Sequence, residues 1–165
     1  MAQEKKIDYD GTDVMSRVLT GLLNQFPGMD GVTITFSLLS ESSGISIYPV
    51  AGAVILSEKE DIIGHVKQVC AYPFNVVYRA ALHKEGQKLK VKEFLDTLAR
   101  WLERQPVNIN GTDHQLTEYP ELPSGRRVIK SISRTSTAHL NTVYNDGVED
   151  WLVSFSLKYE NEFDR

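Results

Sequence analysis

The chain predicts an α+β fold in which an antiparallel or mixed β-sheet carries two main helices packed on one face. Three observations carry that reading. The run HVKQVCAYPFNVVYR from His65 alternates with a period of two. It sets Val66, Gln68, Cys70, Tyr72, Phe74, Val76 and Tyr78 on one face of a strand, and Lys67, Val69, Ala71, Pro73, Asn75, Val77 and Arg79 on the other. The following run, LKVKEFLDTLARWLERQP, switches to the helical period. Val91, Phe94, Leu95, Leu98, Trp101 and Leu102 form one apolar stripe, with Lys92, Glu93, Asp96, Arg100, Glu103 and Arg104 on the charged outer face. Near the C-terminus the alternation returns, with Trp151, Val153, Phe155, Leu157 and Tyr159 against Leu152, Ser154, Ser156, Lys158 and Glu160. A helix that must bury one stripe beside long strands needs a sheet to lie on.

Taken in order, residues 1–10 read as a flexible polar lead. Thr12 or Asp13 is the expected N-cap of a first helix, with Val14, Val18, Leu19, Leu22 and Phe26 inward and Pro27-Gly28 as its stop. VTITFSLL at 32–39 reads as a half-buried strand of β-formers. Residues 40–62, punctuated by Ser, Gly and Pro, read as a projecting arm or loop. Within the long strand, Pro73 marks an edge position, a bulge or a break, because it has no N–H for a ladder. Pro106 closes the central helix. Asn110-Gly111 between short alternating runs signals a tight hairpin, and TEYPELPSGRR is an irregular connection. Residues 128–135 alternate as a strand, Ala138–Tyr144 reads as a short helical turn, and Asn145-Asp146-Gly147 is a turn by composition. The terminal NEFDR reads as a polar tail.

With 165 residues the expectation is a single domain, 1–165, large enough to bury about two-thirds of its unfolded surface. A formal net charge of −4 argues against bulk attraction to nucleic acid. The one cysteine, Cys70, excludes an intrachain disulfide and lies in the apolar strand pattern as a small core hydrophobe. No apolar run approaches the roughly 20 residues of a membrane span, and the first residues lack a signal-peptide core. A soluble protein of a reducing interior is expected.

Enzyme signatures are missing: the chain has no phosphate-binding Gly-rich loop, no dinucleotide fingerprint and no nucleophile elbow. His65, His83, His114 and His139 are scattered, without ligand spacing, so no metal site is expected. Glu58/Asp61 and Glu149/Asp150 read as solvated turn carboxylates, and Asp113/His114 would point to opposite faces of a hairpin. No catalytic, cofactor-binding or metal residues are assigned, and no cofactor is expected.

One feature departs from the electrostatic rule for helices. Lys84, Lys88, Lys90 and Lys92 crowd the start of the central helix, where the helix dipole already contributes positive charge. A salt-screened surface end and an anion-facing surface both account for it. Arg126, Arg127, Lys130 and Arg134 form a second basic cluster, against acidic groups at Glu58–Asp61, Asp146–Asp150 and Glu160–Asp164. Separate patches of opposite sign suit head-to-tail contacts between copies, which close into rings when the rotation permits. Lys84, Lys88, Lys90, Arg126, Arg127, Glu58 and Asp61 are therefore the subunit-interface candidates.

The runs AYPFNVVYRA, KVKEFLDTLARWLERQPV, KSISRTSTAHL and DGVEDWLVSFSLKYENEFDR resemble the minor capsid proteins of long-tailed phages and prophages of Gram-positive bacteria, which are similar to tail terminators. The resemblance spans about Thr12 to Arg165. It implies a virion structural protein, not an enzyme. Such a protein forms a ring, usually of six subunits, that caps the tail tube and joins it to the head connector. It implies a small α+β fold. The implied partners are further copies of the chain, the tail tube protein and the head connector or stopper protein, with DNA passing transiently through the ring. No membrane and no small-molecule substrate is implied. The location implied is the head–tail junction of the virion, after assembly in the host cytoplasm. The alternative is another neck component (stopper, adaptor or tail-completion protein) contacting the portal complex or DNA.

Overall fold

Two 17-residue strands, β4 (His65–Ala81) and β9 (Val148–Asp164), pair antiparallel along their full length and form the spine of the molecule. The computed structural model describes residues 6–81, 84–122 and 126–165. Before the spine come α1 (Tyr9–Leu23), β1 (Ile34–Phe36), β2 (Gly44–Pro49) and β3 (Val54–Glu60). Between the two long strands come α2 (Glu85–Leu102), β5 (Val107–Ile109), β6 (Thr112–His114), β7 (Arg127–Arg134) and β8 (His139–Val143). Seven strands form one mixed sheet, β1-β2-β4-β9-β7, with β3 also on β4 and β8 also on β9. It is mixed only because β1 runs parallel to β2. Each long strand thus carries two short strands end to end along its outer edge. The expected α+β class is the observed one.

The alternation read in β4 and β9 decides which face is covered. Val66, Cys70, Tyr72, Phe74 and Val76 are buried on one side of β4, and Val153, Phe155, Leu157 and Tyr159 on the same side of β9. Phe74 stacks on Phe155 across the pair at 5.1 Å. Both helices lie on this face. Ser16 of α1 shares a 2.7 Å hydrogen bond with the Tyr72 hydroxyl, and Phe94 of α2 meets Tyr78 edge-on at 5.5 Å. Phe26, after α1, packs between Phe94 and Trp101 of α2 and joins the helices into one core. Pro73 lies inside an unbroken strand, so the break falls in its neighbours. β2 ends opposite Phe74 and β3 starts opposite Ala71. The missing N–H faces that gap, where the Pro73 carbonyl accepts the Val50 N–H at 3.0 Å.

Several expectations are corrected. α1 begins at Tyr9 with Asp8 as its N-cap, accepting the Gly11 N–H at 3.0 Å, rather than at Thr12 or Asp13. Its buried stripe is Met15, Leu19, Leu22 and Leu23, which leaves Val14 and Val18 half-buried. Described residues of the expected lead are held in place, since Lys6 accepts the Ile55 N–H and Asp8 donates to Ala53 along the edge of β3. The 32–39 strand shrinks to three residues because Ser37 turns to φ 50°. Residues 44–60 supply two sheet strands instead of a projecting arm, with Ile45 and Ile47 in the core. β7 is bulged between Ile129 and Ser131, so Ile129 and Ile132 both point inward despite their odd spacing. Ala138–Tyr144 contains strand β8, not a helical turn. The supposed polar tail continues β9, with Asp164 opposite His65. The Asn110-Gly111 hairpin forms as expected, both residues at positive φ in a two-residue loop.

Candidate functional site

Most charges of the two basic clusters are met by carboxylates within the chain. Lys84 caps α2, but a lysine has no acceptor to offer the helix N–H groups. Instead the Gln87 side chain accepts the Lys84 backbone N–H at 3.3 Å. Lys88 reaches Glu149 at 3.0 Å, and Glu149 is only 4% exposed and also accepts the Trp151 indole N–H at 3.1 Å. Lys92 pairs with Asp96 one turn on at 2.7 Å. Of the four lysines, Lys84 and Lys90 are exposed and make no ion pair among the described residues.

The second basic cluster divides the same way. Arg127 points inward and grips Asp8 through two hydrogen bonds, at 3.0 and 2.8 Å. Its side chain is 14% exposed and its charge is met within the chain. The Tyr159 hydroxyl donates to the same Asp8 carboxylate at 2.7 Å. Burial pushes the Asp8 pKa up, but the hydrogen bonds from Arg127, Tyr159 and Gly11 outweigh it and hold Asp8 below the usual carboxylate value. Burial also pushes the neighbouring Cys70 thiol up to about 11, consistent with a packed and unreactive side chain. Arg134 takes both oxygens of Glu103, its Nε at 2.8 Å and its backbone N–H at 3.2 Å.

Arg126 and Lys130 join the acidic groups on the sheet's outer face near the chain terminus. Arg126 pairs with Asp164 at 3.2 Å, and Lys130 with Glu160 at 3.6 Å. His65 meets Asp164 at 2.8 Å, a hydrogen bond that raises its pKa above the ordinary value. Glu58 accepts from Gln68 at 2.8 Å, which lowers its pKa, and Arg165 bridges Glu58 and Glu60. Asp61 caps its own turn, accepting the Ile63 and His65 N–H groups at 3.0 and 2.9 Å. Patches separated in sequence therefore neutralise one another in the fold.

Glu149 and Asp150 are buried in β9 rather than solvated in a turn. Asp150 binds Arg79 at 2.7 and 2.9 Å and accepts from Tyr144 at 2.8 Å. His83 lies outside the described residues. Among the described residues no three metal-ligating side chains converge, and no helix is long and apolar enough to cross a membrane.

Sequence reasoning missed a different surface. Ile62 and Ile63, at the turn between β3 and β4, are almost wholly exposed. A groove of about 570 Å³ runs between α1 and the β1/β2 edge, with exposed Phe36 in its lining. The available signal was two adjacent isoleucines inside a charged turn, SEKEDIIGH. No protein-family profile matches the chain, and no curated protein sequence matches it at a significant level.

Proposed function

We propose that the chain is a virion structural protein: a tail terminator whose copies form a ring, six in the family it resembles, on the end of a phage tail tube. The observation that carries this reading is where the resembling runs lie. AYPFNVVYRA is in β4, KVKEFLDTLARWLERQPV is α2 and its exit, KSISRTSTAHL covers β7 into β8, and DGVEDWLVSFSLKYENEFDR is β9. These elements pack on one another, so the resemblance covers a contiguous body rather than scattered surface loops. The α+β class agrees with what the family implies. In this role the protein works by shape: copies close on one another, stop tube growth and present a surface to the head connector, with DNA passing through the ring.

The distribution of charge favours this role over a DNA-gripping neck component. Arg126, Arg127, Lys130 and Arg134 each face a carboxylate of the same chain, so this cluster has little free positive charge with which to displace counterions from a duplex. Two experiments test the proposal. Immunogold labelling of particles carrying this chain is expected to mark the head–tail junction, and label at the capsid shell or tail tip would contradict it. Duplex DNA is expected to bind weakly or not at all near 0.15 M salt. Tight, salt-dependent retention would favour the DNA-contacting neck role.

A further inference from the structure

We propose that the β3–β4 hairpin tip is a docking knob, which inserts Ile62 and Ile63 into the groove between α1 and the β1/β2 edge of a second copy of this chain. The inference deepens the ring reading by naming its contact, and it rests on that reading only for the closure of the ring.

The tip is built, not frayed. Asp61 accepts the Ile63 and His65 N–H groups, and its own N–H reaches the His65 carbonyl at 2.9 Å. Gly64 takes φ 86°, a left-handed conformation suited to glycine. Its N–H binds the Asp61 carbonyl at 3.1 Å, and its carbonyl accepts the Arg165 N–H at 2.8 Å. A turn braced by five hydrogen bonds nevertheless holds two β-branched aliphatic side chains out in water. Turns elsewhere favour Gly, Asn, Asp and Ser. A rigid apolar projection loses little freedom when it docks.

The groove is its chemical complement. Its floor and walls are formed by Thr12, Ser16, Thr20 and Gly21 of α1 with Phe36 and Pro49 opposite. The hydroxyls are already occupied within the chain: Thr12 donates to the Asp8 carbonyl at 3.0 Å, Ser16 to the Thr12 carbonyl at 2.7 Å and Thr20 to the Ser16 carbonyl at 2.8 Å. The wall therefore presents carbon to an incoming side chain. Charges match at the rim as well. Asp13 and Arg17 border the groove, while Lys59 and Asp61 flank the knob; Asp13, Arg17 and Lys59 make no ion pair among the described residues.

A chain cannot fill its own groove. Pro49 stands opposite Phe74 of β4, eleven residues beyond Ile63, or roughly 36 Å along a stiff strand. Knob and groove are different patches, so the contact between copies is heterologous and propagates to a ring when the rotation closes.

The test uses two variants of the full chain and their mixture, sized by analytical ultracentrifugation over a concentration series. Ile62→Asp/Ile63→Asp removes the knob. Gly21→Trp fills the groove, at a position where an added Cβ meets nothing within 4 Å. Each is expected to keep the wild-type melting temperature and to weaken self-association by more than about 30-fold, the scale of losing an interface hot spot. Mixed, the two variants still hold one intact knob and one intact groove between them, so they are expected to form dimers and nothing larger. Either variant assembling like the wild type, or a mixture that stays monomeric or forms large assemblies, overturns the contact and leaves the ring reading standing. A wild-type chain that is monomeric throughout overturns the contact too, and the ring reading is then decided on tail tubes.

Discussion

Asp8 joins three parts of the chain through one carboxylate. It caps α1, receives two hydrogen bonds from Arg127 at the start of β7 and one from Tyr159 of β9. Both charged partners are largely buried, at 8% and 14% side-chain exposure. Removing one therefore leaves the other unpaired away from water. Asp8→Ala is expected to lower unfolding stability by about 3–5 kcal/mol in urea titrations, well above the cost of losing an ordinary helix cap. Its folded pKa is below the unfolded one, so its contribution is complete above the ordinary carboxylate value and is lost as pH falls through the folded value. In Asp8→Asn the decline of stability below about pH 4 is expected to be shallower than in wild type. Little of this was legible in the sequence. Thr12 and Asp13 offer the same capping chemistry a turn further on, so the sequence does not single out Asp8. A side chain at Gly11 would collide with the Asp8 carboxylate and the Tyr159 hydroxyl. The glycine allows the close approach that the buried cluster requires.

At the scale of elements, the sheet's short edges are closed by side chains. The Asn24 amide accepts the Ile34 N–H at 2.8 Å and donates to the Ile34 carbonyl at 3.0 Å, occupying the place of a further strand beside β1. On β7 the Tyr119 hydroxyl accepts the Ile132 N–H at 3.2 Å and Glu103 accepts that of Arg134. Such closures keep edges from pairing with other chains. Asn24→Leu is expected to cost about 1–3 kcal/mol in thermal unfolding and to increase aggregation on heating. A variant as stable and as soluble as the wild type would show that the edge needs no cover. The long elements were readable because burial follows their period: β4, β9 and α2 each bury the stripe read for them. The short ones were not. Leu140, Val143 and Tyr144 have helical spacing, but Leu140 and Val143 in β8 and Tyr144 just after it are all exposed, so their spacing carried no burial signal. Ile129 and Ile132 share a face only because a bulge absorbs one residue.

For the whole molecule, the sequence shows where charges lie along the chain but not which of them meet. Basic and acidic runs read as separate patches fold onto one another, because β7 and β4 flank the end of β9. The lysines at the start of α2 illustrate the consequence. Lys88→Glu faces a nearly buried carboxylate, and it is expected to destabilise the monomer itself by about 1–3 kcal/mol, discounted for the partial exposure of Lys88. Lys90→Glu is expected to leave the melting temperature unchanged. If Lys90 belongs to an interface, that variant alone weakens assembly without weakening the fold, which light scattering beside calorimetry would separate.

A ring of copies closed on the end of a tube is the arrangement proposed for this chain. Negative-stain electron microscopy of the purified protein, alone and mixed with tail tubes, tests it most directly. The expected images show closed rings of uniform diameter and tubes capped at one end, with no further growth. Monomeric particles at every concentration, together with uncapped tubes that continue to elongate, would contradict the claim.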